Sequence, residues 1–299
     1  MEGRITRSRS RQPSNDQKAF INAEDASTPG AASVEPQTLD STIVPLPSQL
    51  SRKITGLAKD DFQVLLLKQE RLRSSVSSAS HDIDDVLLAQ ATAATLVFAQ
   101  QEAGTAVCIS SSGLLLTCGH CVADSEEAET GVGEERWLVF ASGQAVRARC
   151  TAWDPTRDLA ILQIIAAQPG CDFDAFPAIA VSASPPKFNA MLFCIGHPGA
   201  EDLEASTAGI ATDYDVLHTS EGRFKGFAKN QDPQDNSEIG ALKHNCWTYW
   251  GHSGAPLVQR DVGGLVGLHS SWDDETAMRR GVPLEAIRAF LVENGYLHL

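Results

Sequence analysis

From about residue 85 onward, apolar residues come in short runs broken by turn residues: Thr95 to Ala99, Thr105 to Ile109, Leu114 to Thr117, Trp137 to Phe140, Leu159 to Ile165, Met191 to Ile195, Pro256 to Gln259 and Leu265 to Leu268. Runs this short and frequent have strand length, and their spacing predicts an all-β sandwich or barrel. Late helical patterning is confined to Pro283 to Val292, which predicts one C-terminal helix with a proline in its first turn. Upstream, Ile54, Leu57, Phe62, Leu65 and Leu66 recur among Lys, Asp, Glu and Arg, which suits an amphipathic helix over residues 51–75. Its apolar face needs a partner. A helix packed on the following domain is the plain reading, and a regulatory or oligomerising element the sharper one. Residues 1–50 are dominated by Ser, Pro, Gln, Ala and Thr with little apolar periodicity, so they cannot bury enough surface to offset the entropy of ordering. The expected organisation is a disordered tail over 1–50, a helical preface over 51–84 and one domain over 85–299.

Charge narrows the partners. The 24 Lys and Arg against 38 Asp and Glu give a net charge of -14, which repels nucleic acid. The tail arginines Arg4, Arg7, Arg9 and Arg11 are read as solvated charge rather than as a nucleic-acid address. No apolar run reaches the roughly eighteen residues of a membrane span, and the N-terminus lacks the apolar stretch of a secretory signal. An intracellular protein, in cytoplasm or nucleus and away from membranes, is therefore expected. Its 7 cysteines, an odd number scattered through a long chain, read as reduced thiols without a structural disulfide.

Three segments carry chemistry. Gly104 to Val122 reads as strand, glycine turn, strand, and then His120, a base held at the end of a sheet. In Asp154-Pro155-Thr156-Arg157-Asp158-Leu159-Ala160-Ile161-Leu162, Asp158 stands immediately before a buried strand, where a carboxylate can be shielded from water and still reach an imidazole. In Gly251-His252-Ser253-Gly254-Ala255-Pro256-Leu257 a serine sits between glycines that let the backbone turn sharply and aim its amides at one point. Each alone is weak. In the order His120, Asp158, Ser253, each in its own strand-and-turn context, they follow the chain order of a chymotrypsin-type triad, which the α/β-hydrolase and subtilisin orders do not.

On these residues, positions 90–292 resemble a trypsin-like serine peptidase domain, closest in texture to the Deg/HtrA-type proteases. Cys194-Ile195-Gly196-His197-Pro198-Gly199 is similar to that family's Ile-Gly-x-Pro turn, Ser206-Thr207-Ala208-Gly209-Ile210 to the strand that follows it, and Gly264 to Leu268 to the strand lining the substrate cleft. The resemblance implies two antiparallel six-stranded β-barrels with the active site between them. It further implies that Ser253 is the nucleophile, His120 the general base and then acid, and Asp158 the group that holds the imidazole. The backbone N–H groups of Gly251 and Ser253 would form an oxyanion hole, where one donor is worth roughly 3 to 4 kcal/mol. The implied activity is endopeptidase hydrolysis of proteins or peptides through an acyl-enzyme, with no cofactor or metal. A catalytically silent copy of the fold, serving as a protein-binding module, is the alternative. Two departures stand out: His252 replaces the Asp that precedes the serine in trypsin, so trypsin's activation by a new N-terminus is ruled out, and Ala255 replaces a family glycine.

Cys118-Gly119-His120-Cys121 contains zinc-type ligands, but no second Cys pair follows downstream, so the cysteines read as packed small residues. The acidic stretch Asp124 to Glu135 lacks EF-hand spacing and reads as a solvated loop. The primary specificity pocket falls on Thr248 and on Leu268-His269-Ser270, and offers no carboxylate for Arg or Lys. Thr248 and Gly267-Leu268-His269 resemble glutamyl endopeptidases and picornaviral proteases, which implies cleavage after Glu or Gln. A pocket for small apolar residues, with His269 merely packed in the barrel, is the competing expectation.

Overall fold

The computed structural model describes residues 43–50, 57–79, 86–100, 104–123, 130–169, 175–207 and 209–297. The first elements are a two-residue strand β1 (Val44–Pro45) and two helices, α1 (Lys59–Ala79) and α2 (Val86–Ala93). A first barrel follows, made of β2 (Thr95–Phe98), β3 (Thr105–Ser110), β4 (Leu114–Thr117), β5 (Glu135–Phe140), β6 (Ala145–Asp154) and β7 (Leu159–Ala167). Its strands lie in the order β7-β4-β3-β2-β5-β6, and the β6–β7 pairing closes it. The second barrel contains β8 (Met191–Gly196), β9 (His218–Phe227), β10 (Leu242–His244), β11 (Pro256–Gln259), β12 (Leu265–Trp272) and β13 (Arg279–Pro283), closed in the order β10-β13-β12-β11-β8-β9. Helix α3 (Leu284–Glu293) comes last. All twelve barrel strands pair antiparallel, which fits a core built from short buried runs such as β3 and β4, where every residue is buried.

One apolar cluster runs through both barrels, joining Leu116, Leu138 and Ile161 of the first to Phe193, Val258 and Leu268 of the second and to Ile287, Phe290 and Leu291 of α3. The end of α3 also reaches back to the first barrel. Tyr296 Oη lies 3.1 Å from Thr151 Oγ1, and the Arg157 guanidinium donates to both Glu293 carboxylate oxygens at 2.7 Å.

Of the tail expected over residues 1–50, residues 43–50 are described, and Val44 and Pro45 pair in parallel with Ala166 and Ala167 of β7. Residues 1–42, where disorder is expected, lie outside the described residues. The helix expected from residue 51 starts at Lys59, with Asp60 and Asp61 in its first turn where the helix dipole favours negative charge; residues 51–56 also lie outside. Phe62, Leu65, Gln69 and Leu72 share one buried face of α1, and Leu65 and Leu72 pack on Val97, Trp137 and Val139 of the first barrel. Lys68 is buried beside them, its Nζ donating to the carbonyls of Phe98 and Gln100 at 2.7 and 2.9 Å. Burial lowers this ammonium to about 7, against the pull of Asp61. Gln69 adds bonds to Gly143 O and Gln168 Oε1.

Helix α2 and strands β6, β9, β10 and β13 have no counterpart among the expected runs. Strand β6 alternates buried positions with the outward Arg147 and Arg149, and β9 buries Ser220 and Phe224 between polar residues, so neither forms an apolar run. The segment compared to a strand at Ser206 to Ile210 is not one: none of its described residues lies in a strand, and β9 begins only at His218.

Candidate active site

His120 lies in the short 3₁₀ turn Gly119–Cys121 that leaves β4. Two groups fix that turn. Trp153 Nε1 donates to the Gly119 carbonyl at 3.0 Å, and the His120 backbone N–H donates to Asp158 Oδ1 at 3.1 Å. Gly119 permits the approach: a Cβ there would stand 3.2 Å from Leu159 N and 3.3 Å from the Asp158 carbonyl carbon. Asp158 occupies the turn between β6 and β7 with φ 55°, a conformation that Asp tolerates better than most residues. The turn is built by Asp154 Oδ1, which accepts the N–H groups of Thr156 and Arg157, both at 2.9 Å.

The side chains meet as well. His120 Nδ1 lies 2.9 Å from Asp158 Oδ1 and 3.0 Å from Oδ2. A carboxylate can only accept, so Nδ1 carries the proton in the neutral ring and Nε2 is left as the basic nitrogen. Burial works against the protonated ring, yet the Asp158 charge prevails and holds the His120 pKa well above its ordinary 6.5. The imidazole remains about one third exposed and the carboxylate nearly buried, at 33% and 6% of side-chain area.

Ser253 comes from the other barrel, on the loop before β11. Its carbonyl accepts the Thr105 N–H at 2.7 Å and the Cys121 thiol at 3.6 Å, which ties the serine loop to both β3 and the His120 turn. Gly104 is required at this crossing, because a Cβ would lie 2.2 Å from the Ser253 carbonyl oxygen. The peptide between residues 250 and 251 is also held: the Trp250 carbonyl accepts the Gly199 N–H at 2.6 Å, and the Gly251 carbonyl accepts Thr105 Oγ1 at 3.2 Å. In a trans peptide the N–H points opposite to the C=O, so anchoring Trp250 O directs the Gly251 N–H away from Gly199. The φ of Gly251, +95°, is one that glycine adopts readily. Among the described residues, the N–H groups of Gly251 and Ser253 donate to no protein acceptor.

The structure thus brings His120 and Asp158 into direct contact and Ser253 onto the neighbouring loop. The Ser253 hydroxyl, however, donates to the Ser270 carbonyl at 3.2 Å, and no hydrogen bond joins it to His120 among the described residues.

Of the three expected pocket residues, His269 and Ser270 lie on β12 beside this loop. The His269 carbonyl accepts the Gly254 N–H at 2.8 Å and the Cys118 thiol at 3.4 Å. Thr248 is buried on the serine loop without a hydrogen bond to His269. What sequence reading missed is the support behind His269. His244 Nε2 lies 3.1 Å from His269 Nδ1, the two rings are perpendicular, and His252 completes a buried group of three histidines. Burial drives His244 and His252 down to about 3 and His269 well below 6.5, so all three are neutral near pH 7. Thr105 was also missed, although its N–H and hydroxyl both anchor the serine loop. A short apolar run gives no sign that one of its residues holds a loop distant in sequence. Donor atoms of Cys118, His120 and Asp158 also converge, within 4.8 Å of one another.

Residues 104–268, more than half of the chain, match the family model of the trypsin-like peptidase domain. The chain belongs to that family. No curated protein matches it. Among solved structures, the peptidase fold is similar to that of the Rv3671c protease from M. tuberculosis. With the inactive form the TM-score is 0.51 at 18% identity, covering 71% of this chain and 94% of that one. With the active form the TM-score is again 0.51, at 16% identity, covering 72% and 87%. At such identities the likeness is one of fold. The six described cysteines, all within the peptidase domain, are unbridged.

Proposed function

We propose that the chain is a serine endopeptidase acting on proteins or peptides, with its catalytic unit spanning about residues 85–299 and residues 51–84 forming the helical preface. The observation that carries this reading is the bidentate contact of His120 Nδ1 with Asp158, which leaves Nε2 as a base beside the loop that bears Ser253. Rotation about χ1 of Ser253 releases its hydroxyl from Ser270 O and exchanges one staggered well for another; such bonds commonly form only with substrate in place. Ser253 Oγ then attacks the scissile carbonyl while its proton passes to His120 Nε2. Asp158 stabilises the imidazolium, and the Gly251 and Ser253 N–H groups receive the oxyanion. His120 returns the proton to the leaving amine, and water resolves the acyl-enzyme by the same route.

The histidine pair supports a preference for cleavage after Glu or Gln. One proton lies in the bond between His244 Nε2 and His269 Nδ1. If His269 supplied it, His244 would carry its own proton on Nδ1, a buried atom without a partner; an orphaned N–H costs more than an orphaned lone pair. His244 is therefore the donor, and neutral His269 presents Nε2–H, which suits the oxygen of a carboxylate or a primary amide. Thr248 and Ser270 are the other two residues of this proposed pocket. A silent, protein-binding version of the fold is the second reading, favoured by the Ser253 hydroxyl resting on Ser270 rather than His120.

A fluorophosphonate probe separates the two. Covalent labelling that disappears in Ser253→Ala supports the peptidase, and a folded chain that never labels refutes it. A peptide library cut mainly after Val or Ala would refute the Glu/Gln preference alone.

A further inference from the structure

The segment Cys118-Gly119-His120-Cys121 offers too few donors for a metal when read along the sequence, but the fold adds one from elsewhere. Asp158, on the turn between β6 and β7, brings a carboxylate oxygen to His120 and Cys118, so that donor atoms of three different chemical types lie within 4.8 Å of one another. Tetrahedral Zn²⁺ takes nitrogen and oxygen at about 2.0–2.2 Å and sulfur at about 2.3 Å, which sets the donors about 3.3–3.8 Å apart. The His120–Asp158 separation of 2.9–3.0 Å has to open by about half an ångström. Cys118 Sγ, now turned to the His269 carbonyl at 3.4 Å, has to swing inward by about 1 Å at most. Side-chain rotation supplies movements of that size. The one-third exposure of His120 gives an ion its way in.

We propose that Cys118, His120 and Asp158 form an inhibitory Zn²⁺ site in which the metal replaces the proton shared between His120 Nδ1 and Asp158. Zn²⁺ takes the Nδ1 lone pair, so the single proton of the neutral ring sits on Nε2. The Cys118 thiol loses its proton to solvent and binds as thiolate. A ring with metal on Nδ1 and hydrogen on Nε2 has no lone pair left to receive the Ser253 proton, so hydrolysis stops. Metal binding stands independently of the peptidase reading; only its inhibitory consequence rests on that reading.

The test uses the full chain carrying Ser253→Ala, titrated with Zn²⁺ against a chromophoric chelator and separately with Co²⁺. One ion per chain is expected, with a thiolate-to-cobalt charge-transfer band and the intense visible bands of tetrahedral cobalt. Adding Cys118→Ser is expected to weaken Zn²⁺ binding at least about tenfold and abolish the charge-transfer band. Binding unchanged by Cys118→Ser, or no binding in competition with the chelator, overturns the proposal. Should Cys118→Ser fail to fold, the Co²⁺ spectrum of the parent decides, and absence of the thiolate band overturns it. In the chain with Ser253 intact, hydrolysis is expected to fall with Zn²⁺ and return with chelator. A metal site in a chain that never hydrolyses anything would refute the peptidase reading and leave the site standing.

Discussion

Acid should weaken this fold well before its carboxylates titrate, because the second barrel buries neutral histidines. His244 and His252 stand at about 3 in the folded protein, driven there by burial, against 6.5 when exposed. A depressed folded pKa means that the unfolded chain binds more protons as pH falls below 6.5, so stability is full above that value and declines beneath it. At pH 5 each histidine costs 1.36 kcal/mol times 1.5 pH units, about 2 kcal/mol, or about 4 kcal/mol for the pair. His197 and His269, also lowered, add to the loss. His120 acts with the opposite sign: its raised pKa contributes stability that is fully present below 6.5, so going from pH 7 to pH 5 returns about 1 kcal/mol at most. Lys68, at about 7, has already incurred most of its cost by pH 7. The net loss of about 3 kcal/mol or more is a large part of a typical 5–15 kcal/mol stability. Urea unfolding of Ser253→Ala at both pH values measures it, and His244→Gln should flatten the difference. Midpoints and slopes giving stabilities within about 1 kcal/mol of each other at pH 7 and pH 5 would refute the reasoning.

Two further outcomes follow from the geometry. Gly104→Ala places a methyl against the Ser253 carbonyl and should displace the serine loop, lowering stability by about 1–3 kcal/mol and hydrolysis with it; thermal melts and peptide assays check both, and an unaltered enzyme would contradict the contact. Because Asp158 holds His120 above 6.5, the base is mostly protonated at pH 6.5, so kcat/KM there should be below half of its alkaline plateau. A half-maximal point under pH 6.5 would contradict the assignment.

The barrels were legible because buried strands such as Thr105 to Ser110 and Leu114 to Thr117 are apolar throughout, whereas β6 and β9, polar on one face, leave no such run. Helix α1 was visible in its spacing but misplaced at its start, where Asp60 and Asp61 carry the boundary signal. The contact of His120 with Asp158 follows from two turn motifs that the sequence shows plainly. The rest does not. The orientation of the Ser253 hydroxyl depends on a single rotamer, and the support of His269 by His244 depends on a pairing of β10 with β13 that no local pattern announces.

The interleaved strand order of the second barrel bears on when the chemistry becomes available. Strand β13 inserts between β10 and β12, so until Arg279–Pro283 is in place that barrel has a gap, and β12, which carries His269 and Ser270, lacks one neighbour. The first barrel can assemble its imidazole and carboxylate without any of this. During synthesis, then, the loop that carries Ser253 gains its completed β12 support only after Arg279–Pro283 has emerged.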